Sequence, residues 1–269
     1  VRRHDVSVLA GVPPLWHQLA ALDWADGSGA SLRTLTNSGG HLPEPIVRRL
    51  RALFPDARLH LMYGLTEAFR SASLDPALVD RHPDSVGAAI PFAQLRIARE
   101  DGTTAALGEE GELVHSGPLV AKGYWNDSER SAARFRDGEV WSGDTMVIGH
   151  DGLLRFRGRD DAMIKTNGNR VSPTEIEEAA LASGAVSEAA AFGLADEQIG
   201  QTIALIAVPS GEDPESRLRA WFAAELPAFM RPSRIVLVDR FPLGPNGKLD
   251  RATLRAMLDQ DELNGEGSR

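Results

Sequence analysis

The chain has 269 residues, enough for one large domain or two smaller ones, with 42% hydrophobic and 25% charged residues, as in an ordinary soluble globular protein. Its net charge of −9 argues against a nucleic-acid-binding protein, which needs clustered Lys and Arg, but allows a small anionic ligand in a local basic pocket. The absence of cysteine excludes disulfides and thiolate chemistry. The apolar runs are too short for a membrane span and the first residues lack signal-peptide features, so we expect a cytoplasmic location.

The first sixty residues alternate between strand and helix patterns. Residues 6–11 predict a buried strand, 12–22 a helix that begins with two prolines, and 32–37 a second strand. A helical spacing follows, and residues 59–63 predict a third strand. This order is typical of a parallel α/β sheet, in which ligands bind beyond the carboxyl ends of the strands.

The pattern then changes twice. Short strands separated by Gly and Asp turns predict a β-rich subdomain over about 84–157. A mixed α and β pattern resumes near residue 158, where Ser172 to Glu175 fit a helix-capping box. We therefore predict a mixed α/β fold in four parts: a partial large domain at 1–157, a hinge at 158–161, a small mobile α+β domain at 162–260 and a frayed polar tail at 261–269.

Four short segments carry residues that suit chemistry on a nucleotide. In YGLTE, Gly64 permits a tight turn, while Thr66 and Glu67 suit a phosphate and its Mg²⁺. Asp144 in WSGD offers a carboxylate that suits a ribose diol. Each of these two segments, taken alone, is explained as well by an ordinary turn.

The other two segments supply cations. Arg159 and Arg170 flank a polar stretch that contains Gly168, and their guanidinium groups suit phosphate. Lys248 in PNGKLDR lies on a glycine turn, where an ammonium group can neutralise charge that develops during a reaction. A linker with solvated charges and an exposed turn lysine are the alternatives.

Together, YGLTE, GELVHSG…GYW, WSGD, GRDDAMIK…GNRVSPTEIE and PNGKLDR resemble, in this order, the motifs of the adenylate-forming superfamily of acyl-CoA synthetases, peptide-synthetase adenylation domains and luciferases. The resemblance extends from Ser38 almost to the C-terminus and is greatest to acyl-CoA ligases, in particular those associated with exosortase systems. It implies that a carboxylic acid is activated with ATP and Mg²⁺, and that the acyl group passes to coenzyme A or to the phosphopantetheine of an acyl-carrier protein. A place in fatty-acid metabolism is the corresponding expectation.

The resemblance also implies roles for single residues. Tyr63, next to Gly64, packs on adenine, Thr66 contacts phosphate and Glu67 helps to hold Mg²⁺. Asp144 binds the ribose hydroxyls and Arg159 reaches the ribose or a phosphate.

In the small domain, the resemblance makes Lys248 the residue that stabilises the adenylation transition state. Asp161 matches the hinge about which this domain rotates between two half-reactions. The loop with Gly168 and Arg170 then lies beside the pantetheine tunnel. In the large domain, the turn formed by Ser38, Gly39 and Gly40 borders the acyl pocket.

One part of the superfamily pattern is not found in this sequence. The Ser/Thr/Gly-rich loop that grips the β and γ phosphates lies upstream of the segments quoted above, as does the first half of the large domain. We therefore expect a C-terminal portion of a longer enzyme that needs its N-terminal half as a partner, and negligible ATP–pyrophosphate exchange by the isolated chain. A non-catalytic nucleotide- or partner-binding module and an amino-acid adenylation domain serving a carrier protein remain the alternatives.

Overall fold

The computed structural model describes residues 1–25, 27–159, 162–245 and 247–266, with side chains described as far as residue 258. The chain divides into two compact units between residues 161 and 162. The predicted hinge residue Asp161 lies outside the described residues. Among the described residues, no helix is both long and apolar enough to cross a bilayer.

The first unit begins with an α/β layer. Its elements are β1 (Val8–Gly11), α1 (Pro13–Ala21), β2 (Thr34–Asn37), α2 (Glu44–Leu53), β3 (Arg58–Tyr63), β4 (Ala72–Ser73) and β5 (Ala88–Ala89). β1, β2 and β3 pair in parallel, and β4 and β5 extend the sheet in antiparallel fashion. Trp16, Val47 and Leu50 are completely buried in the core between the sheet and its two helices. The parallel arrangement was expected, but β1 is an edge strand with Val8 59% exposed, so the prediction of a buried first strand was wrong.

An antiparallel sheet completes the first unit. It contains β6 (Gln94–Ala98), β7 (Glu110–Ser116), β8 (Phe135–Arg136), β9 (Glu139–Ile148) and β10 (Leu154–Arg159), while α3 (Ser128–Arg134) precedes β8. The strand order is β10-β9-β7-β6, with β8 on β9. Ile97, Leu113 and Met146 bury one face of this sheet together with Ala72 of β4, which ties the two sheets into one core.

The second unit is a smaller α+β structure. It comprises β11 (Ile164–Thr166), β12 (Asn169–Val171), α4 (Pro173–Ala182), β13 (Val186–Asp196), β14 (Gly200–Pro209), α5 (Pro214–Glu225), β15 (Arg234–Leu237) and α6 (Arg251–Glu266). The sheet order is β12-β11-β14-β13, with β15 parallel to β14. One face packs against α4 and α5 through Ile176 and Phe222, and the other packs against α6 through Leu254 and Leu258.

Two local expectations for this unit need correction. Residues 165–170 form the hairpin of β11 and β12 rather than a loop, because Asn167 and Gly168 adopt φ of 49° and 75°, the conformation of a two-residue hairpin turn. The chain is also helical up to Glu266, six residues into the expected frayed tail. The start of α4 is as predicted: Pro173 occupies the first turn and Ser172 Oγ accepts a hydrogen bond from the Thr174 N–H at 3.2 Å.

Candidate active site

Asp144 lies in the interior of a ten-residue strand, β9, and not in a turn between short strands. The pairing of β7 with β9 shifts between Glu112 and Val114, so that three residues of β9 oppose Leu113 alone. Gly143 supplies the positive φ of 70° that this bulge requires. The bulge turns the Asp144 carboxylate to a position where it is 12% exposed.

Polar contacts hold the bulge in place. Ser142 Oγ donates to the Leu113 carbonyl at 2.8 Å and accepts from the Asp144 N–H at 3.1 Å. The Gly143 N–H donates to the Glu112 carboxylate at 2.7 Å. Ser142, which departs from the aromatic–basic–Thr pattern of many superfamily members, therefore has a defined structural task here.

Three predicted site residues of the first unit converge. The Tyr63 hydroxyl, at the carboxyl end of β3, donates to Asp144 Oδ2 at 2.5 Å. Arg159, at the end of β10, is the Cα partner of Asp144, and its Nε lies 3.8 Å from Asp144 Oδ1. Burial and the neighbouring Asp144 charge raise the pKa of Tyr63 well above its ordinary value, so the phenol stays a neutral donor at physiological pH.

The segment after β3 carries Thr66 and Glu67 on a turn. Thr66 is exposed. Glu67 is oriented by a residue that the sequence did not single out, because the Tyr124 hydroxyl donates to Glu67 Oε1 and the Ala121 N–H donates to the Glu67 carbonyl at 2.7 Å. Burial and the Glu67 carboxylate raise the pKa of Tyr124, which keeps it a donor.

The Glu67 carboxylate fits a magnesium ion. Only Oε1 has a partner among the described residues, so Oε2 is available as a hard oxygen ligand. The described residues contain no cluster of three or more His, Cys, Asp or Glu side chains that could bind a metal by themselves. One carboxylate with help from substrate phosphates is the usual arrangement for Mg²⁺.

Gly64 is required by close backbone packing. A Cβ at this position would lie 2.2 Å from the Phe69 carbonyl oxygen and 3.0 Å from the Arg70 Cα. The glycine therefore lets residues 64–70 fold back on themselves, which fixes the positions of Thr66 and Glu67.

We predict that Gly64→Ala in the full-length protein destabilises it by about 1–3 kcal/mol, because backbone cannot yield as a flexible side chain can. The displaced loop should also lower the rate of adenylate formation by up to about 100-fold, since ångström-scale misplacement of reacting groups has effects of that order. Melting temperature and initial rates would be measured together. Gly138→Ala is the matched control: Gly138 has φ of 80° and open space around it, so it should lose stability but keep activity. Full activity of Gly64→Ala would contradict this role.

The turn formed by Ser38, Gly39 and Gly40 lies at the carboxyl end of β2. The Ser38 N–H donates to the Gly11 carbonyl at 3.2 Å, and the Asn37 side-chain amide donates to the Gly40 carbonyl at 3.1 Å. Gly39 adopts φ of 85°. The turn is thereby fixed at the sheet edge where parallel α/β proteins bind ligands.

Lys248, Gly168 and Arg170 belong to the second unit. Lys248 lies on a tight loop: its carbonyl accepts from the Gly244 N–H at 2.8 Å, and Leu243 bridges Leu249. Arg170 is exposed on β12 directly opposite Lys165 on β11, which places two cations on one side of the hairpin. Gly168 has no atom within 4 Å of an added Cβ, so its task is the hairpin turn and not close packing.

Two sequence families match this chain. The family described as AMP-binding enzyme matches residues 1–125, and the AMP-binding enzyme C-terminal domain matches residues 175–248. Together the two matches cover most of the chain and fall in the first and second unit respectively.

Curated proteins and solved structures with the same organisation are similar over nearly the whole chain. Benzoate–CoA ligase of Thauera aromatica is 36% identical over 95% of this chain and 50% of its own length. L-Proline–[L-prolyl-carrier protein] ligase of Pseudomonas fluorescens is 33% identical over 96% and 52%. The structure of o-succinylbenzoate CoA synthetase from Bacillus subtilis with its acyl-adenylate intermediate aligns with a TM-score of 0.80 and 25% identity, over 94% of this chain and 51% of that one. The chain thus spans about half the length of the relatives it matches.

Proposed function

Because this chain belongs to the AMP-binding enzyme family of the adenylate-forming superfamily, we propose that it is the C-terminal portion of an ATP-dependent, AMP-forming acid–thiol ligase. Such an enzyme joins a carboxylic acid to AMP, releases pyrophosphate and transfers the acyl group to a thiol. The observation that carries the proposal is the convergence of Tyr63, Asp144 and Arg159 at the carboxyl end of β3. Motifs from three distant parts of the sequence meet at one point, as a single mononucleotide site requires.

Each of these residues has a role that its geometry supports. The partly exposed Asp144 carboxylate accepts hydrogen bonds from the two ribose hydroxyls, and Tyr63 orients it from beneath. The face of the Tyr63 ring borders adenine. Arg159, with half of its side chain exposed, reaches the ribose or the α-phosphate as a planar donor.

Thr66 and Glu67 handle the phosphates. The exposed Thr66 hydroxyl donates to a phosphate oxygen, and Glu67, held by Tyr124, ligates Mg²⁺ through its second oxygen. When bound, Mg²⁺ neutralises negative charge on the phosphates. The turn of Ser38, Gly39 and Gly40 borders the acid on the other side of β3.

The second unit supplies one group to each half-reaction. Lys248, on its tight loop, stabilises the charge that develops as the carboxylate attacks the α-phosphate. The β11–β12 hairpin with Gly168 and Arg170 serves the transfer step, where the exposed cations of Lys165 and Arg170 suit an anionic pantetheine carrier. Rotation about Asp161 exchanges the two arrangements.

The acceptor is coenzyme A or a carrier-protein phosphopantetheine. Benzoate–CoA ligase favours the first by its identity to this chain, and the prolyl-carrier protein ligase favours the second, in which case the chain serves an amino-acid adenylation reaction. The cytoplasmic location and the place in fatty-acid metabolism stay predictions.

Acid-dependent ATP–pyrophosphate exchange by the full-length protein tests this function. We expect exchange that depends on an added carboxylic acid, with AMP rather than ADP as the nucleotide product, followed by acyl transfer to coenzyme A or to a phosphopantetheinylated carrier protein. Nucleotide binding without exchange for any acid would instead favour a non-catalytic nucleotide-binding module. Production of ADP and phosphate would contradict the proposal.

A further inference from the structure

Arg70 lies at the sheet edge that borders the proposed acid site. Its Nη1 donates to Ser38 Oγ at 2.8 Å, which joins the segment after β3 to the turn after β2. Asp144, by contrast, belongs to the second sheet and meets β3 through Tyr63. The guanidinium group therefore lies on the β2 side of β3, and the three nucleotide-site residues lie on the other.

The charge of Arg70 has no anionic partner among the described residues. Its contacts are the Ser38 hydroxyl and the ring of Phe69, whose centroid is 5.7 Å from the guanidinium carbon. Partial burial lowers the pKa of Arg70, which marks a cation removed from water without compensation. Other partly buried arginines of this chain are compensated: carboxylates pair with Arg96, Arg155 and Arg251, and backbone carbonyls accept from Arg134 and Arg255.

This difference stands out in a chain with 38 acidic and 29 basic residues. Acidic side chains are abundant, yet none of those described lies beside Arg70. A guanidinium group has five N–H donors, and one hydroxyl leaves most of them for a ligand. A carboxylate is the complementary group, because it accepts two parallel hydrogen bonds from the fork.

We propose that Arg70 binds a second carboxylate of the substrate, so that the acid activated at this site is a dicarboxylic acid. The inference rests on the proposed function, since the acid site itself is part of that proposal. Ser38 holds the guanidinium group in place, and Arg70 acts as a specificity-determining residue that contacts the end of the substrate remote from the reacting carboxylate. The Phe69 ring beside the guanidinium is 77% exposed and limits the approach of water to one face.

The test uses the full-length protein and two matched pairs of acids, hexanoate with adipate and benzoate with terephthalate. AMP formation would be measured for wild type, Arg70→Met, Arg70→Lys and the control Arg99→Met, a surface arginine of the same unit whose partner is Glu109. Wild type should prefer the dicarboxylic member of at least one pair. Arg70→Met should raise KM for that acid about tenfold or more, in line with loss of a charged hydrogen bond, and should leave its monocarboxylic partner within about threefold.

Arg70→Lys should fall between wild type and Arg70→Met, because it keeps the charge but not the fork. Arg99→Met should behave as wild type. Equal losses for both members of each pair, or a wild-type preference for the monocarboxylic acid in both pairs, would overturn the inference and leave the proposed function standing. If an Arg70 variant does not fold, the wild-type preference decides alone. Absence of AMP formation by wild type with all four acids would instead reject the proposed function and the inference with it.

Discussion

Lys248→Ala in the full-length protein is expected to slow adenylate formation by about 10²- to 10³-fold, the range found when one preorganised donor to a developing charge is removed. Transfer from a preformed acyl-adenylate to the thiol should change little, because the ammonium group is assigned to the first half-reaction alone. Single-turnover measurements of each half-reaction, with AMP and thioester as readouts, separate the two. The loop around Lys248 is fixed by backbone bonds at Gly244 and by the Leu243–Leu249 bridge, so truncation of the side chain should leave its fold intact.

Arg170→Ala provides the reciprocal control for this prediction. Arg170 is exposed on the β11–β12 hairpin, and its removal should slow the transfer step while adenylation stays near the wild-type rate. Equal loss of both half-reactions in Lys248→Ala would contradict the assigned role of the lysine.

Asp144→Asn is expected to weaken AMP binding by about 10- to 100-fold. The substitution keeps the size of the side chain but removes the charge that strengthens its hydrogen bonds to ribose hydroxyls, and charged hydrogen bonds contribute about 1.5–3 kcal/mol. It also leaves Arg159 without its carboxylate neighbour at 3.8 Å. Calorimetric titration with AMP measures the loss directly.

A nucleotide without the ribose hydroxyls makes this test specific. Wild type should lose most of its affinity on going from AMP to 2′,3′-dideoxy-AMP, whereas Asp144→Asn should lose little more. Tyr63→Phe should weaken AMP binding by at most about tenfold, because it removes one orienting donor and keeps the ring. Asp101→Asn, in an exposed turn, is the control that should bind as wild type. Equal sensitivity of Asp144→Asn and wild type to loss of the ribose hydroxyls would show that Asp144 does not bind them.

Local patterns predicted the elements that surround the site. The alternation of strands and helices before Tyr63 and the short strands after residue 84 correctly indicated a parallel layer followed by an antiparallel sheet. The spacing of WSGD did not show that Asp144 would lie inside a long strand, because a three-against-one bulge depends on the register with β7. An apolar run such as Val8–Gly11 likewise cannot tell an edge strand from a central one, since only the neighbouring strands decide its burial.

Two missed features did have a local signal. Asn167–Gly168 between extended residues is a strong hairpin signal, which the density of charges around it obscured. Leu254 and Leu258, four residues apart, mark the buried face of α6 within an otherwise polar segment. The contacts of Arg70 with Ser38 and of Tyr124 with Glu67 had no such signal, because each joins residues more than thirty positions apart.

The central claim is that Tyr63, Asp144 and Arg159 surround one mononucleotide. A crystal structure of the full-length protein with AMP bound tests it most directly. We predict that both ribose hydroxyls lie within hydrogen-bond distance of the Asp144 carboxylate, with adenine beside Tyr63 and Arg159 next to the ribose or the phosphate. An AMP molecule bound elsewhere, with the Tyr63–Asp144 pair out of contact with it, would contradict the account.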